Sequence, residues 1–84
     1  MNITLLYFGR PREMLATSSE IVQLPAGITT VAALLAWLRM RGNHWENELA
    51  DNRVRCAVNQ EMVPLSAAIR DGDEVALFSP ISGG

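Results

Sequence analysis

The stretch "DGDEVALFSPISGG", Asp71–Gly84, reads in three pieces. Asp71-Gly72 is a turn signal. Val75 and Leu77 then alternate with Ala76 and Phe78, the period of a strand. After Phe78 the chain turns small and polar through Ser79, Pro80, Ile81 and Ser82 and closes on Gly83-Gly84. The expected organisation is one folded domain over residues 1–78 and a flexible tail over 79–84. A closing glycine pair is either a frayed end or a working group, and the rest of the chain has to decide.

Working back from that strand, "RVRCAVN" places Val54, Cys56 and Val58 on one face of another strand. Asn59, Gln60 and Glu61 make a turn into a short return strand at Met62 and Val63, which Pro64 ends. Further upstream, "TTVAALLAWLRMRGN" is the clearest helix. Val31, Leu34, Leu35 and Leu38 form an i, i+3, i+4, i+7 stripe. Thr29 or Thr30 caps its start; Arg39 and Arg41 suit its C-terminal dipole, with Gly42 just beyond. "NHWENELAD" reads as a shorter helix with a capping box from Asn43 to Glu46, and with Trp45 and Leu49 meeting at i, i+4.

At the front, "NITLLYF" is a strand with Ile3, Leu5 and Tyr7 on one face and Thr4, Leu6 and Phe8 on the other. Both faces are largely apolar, so the strand is central or covered on both sides. Pro11 suits the first turn of a short helix through Ala16. "SEIVQLP" alternates through Ile21 as a further strand. One long helix on a mixed sheet, with short extra helices, predicts a two-layer α+β roll.

Composition narrows the function classes. The 84 residues are 49% hydrophobic and 19% charged, which fits a folded domain. A net charge of −2 is no footprint for nucleic acid or for an anionic membrane surface. "VAALLAWL" is too short to span a bilayer, and no signal-peptide pattern opens the chain. One cysteine and one histidine build neither an internal disulfide nor a metal site, so a cytoplasmic setting is the default. All 7 basic residues are arginines; the chain has no ε-amine to act as a nucleophile or as a conjugation acceptor.

A terminal glycine carboxylate is unhindered and ionised at neutral pH. It becomes an acyl donor only after activation, for instance as an acyl adenylate formed on the α-phosphate of ATP. Six residues beyond Phe78 reach roughly 20 Å when extended, enough to enter another protein's active site.

The fold pattern and the tail together resemble the ubiquitin-like β-grasp sulfur carriers and modifiers, most specifically the small subunit of molybdopterin synthase. The resemblance spans the chain. It includes the opening strand running into Arg12-Glu13, the helix start Thr30-Val31-Ala32-Ala33-Leu34, and Val58-Asn59-Gln60, and it is most specific over Asp71–Gly84. Ser79 and Ile81 depart mildly from the family's tail.

What the resemblance implies is a cycle. An E1-like enzyme consumes ATP to adenylate Gly84, and a persulfide-bearing protein supplies the sulfur that makes a thiocarboxylate. Gly83 and Gly84 then enter the active site of the synthase large subunit, where sulfur passes to a cyclic pyranopterin monophosphate to build a dithiolene. The chain would be a co-substrate subunit of a cytoplasmic heterotetramer. It would bind no cofactor or metal itself, and the active site would lie on the large subunit.

Alternation then sorts candidate partner-binding residues. Leu6, Phe8, Met62 and Phe78 fall on the outward side near the tail root and form one apolar patch. Arg12, Pro80 and Ile81 complete the candidate docking set. Cys56 reads as a core thiol rather than a sulfur relay, and His44 as a solvated helix-start residue. Trp37 and Met40 read as packing against the following helix with Trp45. Asp71, Asp73 and Glu74 read as turn chemistry rather than a metal cluster. Competing functions are a sulfur carrier for thiamine or another metabolite, a ubiquitin-like protein modifier, and a binding module with an idle tail. Thiamine carriers tend to be shorter and to lack the helix expected at "NHWENELAD".

Overall fold

A computed structural model describes residues 1–80. The elements run β1 (Asn2–Tyr7), α1 (Gly9–Leu15), β2 (Ser19–Gln23), α2 (Val31–Arg39), α3 (His44–Glu48), β3 (Arg55–Val58), β4 (Glu61–Val63) and β5 (Glu74–Phe78). The strands form one 5-stranded sheet in the order β2-β1-β5-β3-β4. β1 and β5 pair in parallel; the other neighbours are antiparallel. This is the α+β roll that the sequence predicts, with β1 inside the sheet.

The parallel pair explains the crossover. Antiparallel strands close with a short hairpin, but parallel strands need a long connection. Here α2 is part of that connection and buries Val31, Leu34, Leu35 and Leu38 at 0% exposure, the stripe read from the sequence. Opposite it stand Ile3, Leu5 and Tyr7 of β1, Val75 and Leu77 of β5, and Cys56 of β3, all buried.

The start of α2 is fully accounted for. Thr30 Oγ1 accepts from the Ala33 amide at 3.1 Å, and the Val31 and Ala32 amides donate to the Ala67 and Leu65 carbonyls. The loop before β5 therefore caps the helix, supplying partners for amides that have none within it.

Turn chemistry fixes the register of the other strands. Asn59 and Gln60 both take positive φ (50° and 70°), as a two-residue β3–β4 hairpin requires. Gly72 has φ 87° at the third position of the Arg70–Asp73 turn, where a side chain would be strained.

Several expectations change. β2 turns Val22 inward at 6% exposure and leaves Ile21 at 74%. Its register pairs Ile3 with Val22, so the inward face of β1 selects Val22 rather than Ile21. The capping box at Asn43 does not form, because Asn43 sits at φ 52°, ψ −128° after Gly42, and its side chain caps no amide. Met40 does not pack on α3; it is 82% exposed, while Trp37 is partly buried against the core. Arg41 does more than face the α2 dipole: it reaches Glu20 on β2.

Candidate functional site

The inward residues of the sheet share one buried cluster with the α2 stripe, so the opposite face is set by the period of two. One cross-strand row runs the width of the sheet on that face. Ser19 pairs with Leu6, Leu6 with Ala76, Ala76 with Ala57, and Ala57 with Met62. The row is apolar from Leu6 to Met62 and small at its centre. Met62 is 65% exposed and Leu6 is half-buried.

A second row lies toward the end of β5. Phe8 follows Tyr7, which pairs with Leu77, and its amide donates to the Leu77 carbonyl at 3.0 Å. Phe78 stands opposite Arg55. Phe8 is 45% exposed and Phe78 is half-buried. The chain leaves β5 here through Ser79 and Pro80, with Pro80 exposed. Leu6, Phe8, Met62 and Phe78 thus share one face whose upper row adjoins the tail root. Arg12 is exposed on α1, the helix that Phe8 leads into. Ile81, Gly83 and Gly84 lie outside the described residues.

Three members of this face fall outside the apolar patch read from the sequence: Ala57, Arg55 and Ala76, the last of which alternation sets outward with Phe78. The same alternation that selected Leu6 and Phe78 was available for them. Their size, and for Arg55 its charge, gave no apolar signal.

Polar ties hold the helices, and of the charged side chains that make them only Glu48 is buried. Glu48, at 4% exposure, receives Arg10 at 2.9 and 3.3 Å, tying α3 to α1 just beyond Phe8. Arg39 ties the end of α2 to the Leu49 carbonyl and to Asp51. Glu20 accepts from the Tyr7 hydroxyl at 2.8 Å and from Arg41 at 2.9 and 3.1 Å. The Arg41 guanidinium lies 4.4 Å from the Trp45 ring centroid, and Trp45 meets Tyr7 edge-on at 5.7 Å.

Burial pushes the Tyr7 phenol far up, and the Glu20 hydrogen bond adds to it, so Tyr7 stays a proton donor. For Glu20, burial opposes the charge, but the bonds from Arg41 and Tyr7 outweigh it and hold the carboxyl below its ordinary range. Burial also raises the Cys56 thiol, whose Sγ donates to the Val63 carbonyl at 3.4 Å.

The acidic turn is consumed by its own backbone. Asp71 accepts from the Asn2 amide at 2.6 Å, and Asp73 accepts from the Arg70 amide and from Asn59 Nδ2. No group of three or more metal-ligating side chains and no pocket is found among the described residues. Nor is any described helix long and apolar enough to cross a membrane. What the arrangement can do is cover an apolar surface on another protein beside the place where the chain leaves β5.

Comparison with known proteins agrees with this fold. The ThiS family pattern matches residues 5–84. The chain belongs to the ThiS family. Among ThiS-like relatives, the molybdopterin synthase sulfur carrier subunit of Haemophilus influenzae is 32% identical over 98% of this chain and 99% of its own length. The Escherichia coli protein of the same description is 35% identical over 98% and 99%. Of solved structures, the small archaeal modifier protein SAMP1 of Haloferax volcanii superposes with a TM-score of 0.72 at 28% identity, covering 100% of both chains. The ThiS fold assignment therefore rests on sequence and structure alike, and the β-grasp expectation holds.

Proposed function

We propose that this chain is the sulfur carrier subunit of a molybdopterin synthase, with the closing Gly84 as its working acyl group. The observation that carries the reading is the end-to-end match to relatives described as molybdopterin synthase sulfur carrier subunits. The presence of α3, where a thiamine carrier is expected to lack a helix, favours this over the thiamine alternative.

The chemistry follows from the tail. The Gly84 carboxylate attacks the α-phosphate of ATP on an E1-like partner and expels pyrophosphate. A persulfide on a donor protein then attacks the acyl carbon, and AMP leaves. A second thiol cleaves the S–S bond, releasing the thiocarboxylate and leaving a disulfide on the donor. The carrier docks on the large subunit through Leu6, Phe8, Met62 and Phe78, with Arg12, Pro80 and Ile81 completing the docking set. Gly83 and Gly84 enter the partner's site and deliver sulfur to the cyclic pyranopterin monophosphate. Two such transfers complete one dithiolene, which suits two carriers on a large-subunit dimer in the cytoplasm. The chain supplies position and the acyl group; acid–base groups come from the large subunit.

The likeness to SAMP1 favours a second reading, a protein modifier that forms isopeptide bonds through the same activated end. Intact-mass analysis of the chain purified from its own cells separates the two. A carrier gives an oxygen-to-sulfur mass gain; a modifier gives high-mass conjugates. Reconstitution with the large subunit and the pterin precursor tests the first reading directly. Removal of Gly83-Gly84 that left dithiolene formation unimpaired would end it.

A further inference from the structure

The row of the docking face beside the tail root contains a charge, Arg55, that an apolar partner surface cannot accommodate. Arg55 lies between Val54 at 0% and Cys56 at 1% exposure, both turned inward, so Arg55 itself points out. It stands opposite Phe78, in the row beside the tail root. Arg10, Arg39 and Arg41 each hold a carboxylate. Among the described residues Arg55 holds none; its one hydrogen bond is a long contact of 3.4 Å from Nη1 to the Val54 carbonyl.

We propose that Arg55 is a specificity-determining residue that pairs with a carboxylate on the protein covering this face. This deepens the carrier reading and rests on it. A guanidinium carries five donors and stays charged throughout the accessible pH range. Covering Phe78 and Phe8 strips water from the cation in the same row. An unpaired charge so desolvated opposes binding strongly, whereas a fork-to-fork pair with Asp or Glu satisfies it. The two rows offer no help, since Leu6, Ala57, Ala76, Met62 and Phe78 are uncharged, and Glu74, the carboxylate at the far end of β5 on this face, forms no ion pair with Arg55. The large subunit that fits this carrier therefore presents an acidic side chain beside the mouth that receives the tail. A large subunit with an apolar residue there is discriminated against, which is specificity by an unsatisfied group.

The test measures affinity of the full chain for the molybdopterin synthase large subunit of the same organism, by calorimetry at low and high salt. Arg55→Glu, Arg55→Leu and Phe78→Ala are compared, each first shown to melt cooperatively. Arg55→Glu is expected to weaken binding by roughly 30-fold or more, and Arg55→Leu to lose the salt dependence of the wild type. Reversing one acidic residue of the large subunit to Arg should restore binding to Arg55→Glu. If Arg55→Glu binds like wild type while Phe78→Ala does not, Arg55 lies off the interface and the proposal fails alone. If Phe78→Ala also binds like wild type, the docking face fails and the proposal with it.

Discussion

Tyr7 donates its phenol proton to Glu20 at 2.8 Å, across neighbouring strands, while the same carboxylate receives both arms of Arg41 from beyond the end of α2. Glu20 is thereby the point where β1, β2 and the α2–α3 corner are joined. Its carboxyl is held below the ordinary value of about 4.3, so its contribution is fully present above that pH. The contribution is lost as pH falls through the lower, folded-state value. Glu20→Gln should cost about 1–2 kcal/mol at pH 7, the scale of a charge-assisted bond. It should also flatten the acid limb of a stability profile measured by urea unfolding between pH 6 and pH 3. An acid limb unchanged from the wild type would show that Glu20 is not the linked group.

Arg10 and Glu48 form a second tie, and their burial is unequal: the Arg10 side chain is 53% exposed and that of Glu48 only 5%. Solvent screening limits the value of the cation, but its removal leaves a carboxylate inside the protein. Arg10→Ala should destabilise by about 1–3 kcal/mol, more than Glu48→Gln, which removes the charge along with its need for a partner. A thermal or urea melt that ranks the two variants in the opposite order would contradict this account.

The fold was legible wherever pattern and partner agreed. The α2 stripe at Val31, Leu34, Leu35 and Leu38 is buried as a unit, and the faces of β1, β3 and β5 follow their alternation. The β2 strand is legible in the sequence but its inward face is not, because Ile21 and Val22 are both apolar, and only the pairing with Ile3 selects between them. The Asn43 capping box failed for a related reason. Gly42 and Asn43 both take positive φ, a backbone path that composition does not encode. On the candidate face the large apolar residues stand out in the sequence, while Ala76 is legible as outward but not as part of a patch, since a small residue at an interface centre resembles a small residue anywhere. The tie from Arg10 to Glu48 joins residues 38 apart, and no local pattern reports such a partnership.

The buried thiol offers a direct check on packing. Cys56 is 1% exposed on β3, and burial raises its pKa, so little thiolate forms and little reagent reaches it. Alkylation by a maleimide in native buffer should be slower by at least an order of magnitude than in denaturant. Cys56→Ala should leave sulfur transfer intact while lowering stability by about 1–2 kcal/mol. Loss of transfer in a variant that still folds would make Cys56 part of the sulfur path.

Ala76 sits at the middle of the Leu6–Met62 row, paired on one side with Leu6 and on the other with Ala57. Because it points away from the core, Ala76→Glu should fold with a stability within about 1 kcal/mol of the wild type. Docking is another matter, because a carboxylate at the centre of an apolar interface has no water and no partner. Affinity for the large subunit should fall by about 100-fold or more, with the tail unchanged. Binding that survives this substitution would move the docking surface off the sheet.

The absence of lysine predicts how an activated tail behaves toward its own chain, without either partner in hand. An activated Gly84 acyl group is attacked readily by a neutral amine, forming an amide, with loss of a proton and of the activating group. Arginine does not supply such an amine, because its guanidinium stays protonated. The chain prepared as a C-terminal thioester at high concentration should therefore hydrolyse without forming lysine-linked ladders of itself. Arg55→Lys places an amine beside Phe78, six residues from the tip, within the roughly 20 Å that the tail can reach. That variant should lose its thioester to an internal amide, visible as a mass lower by one water than the hydrolysed chain. If Arg55→Lys hydrolyses like the wild type with no such species, the tail does not return to its own root, and the lack of lysine protects nothing.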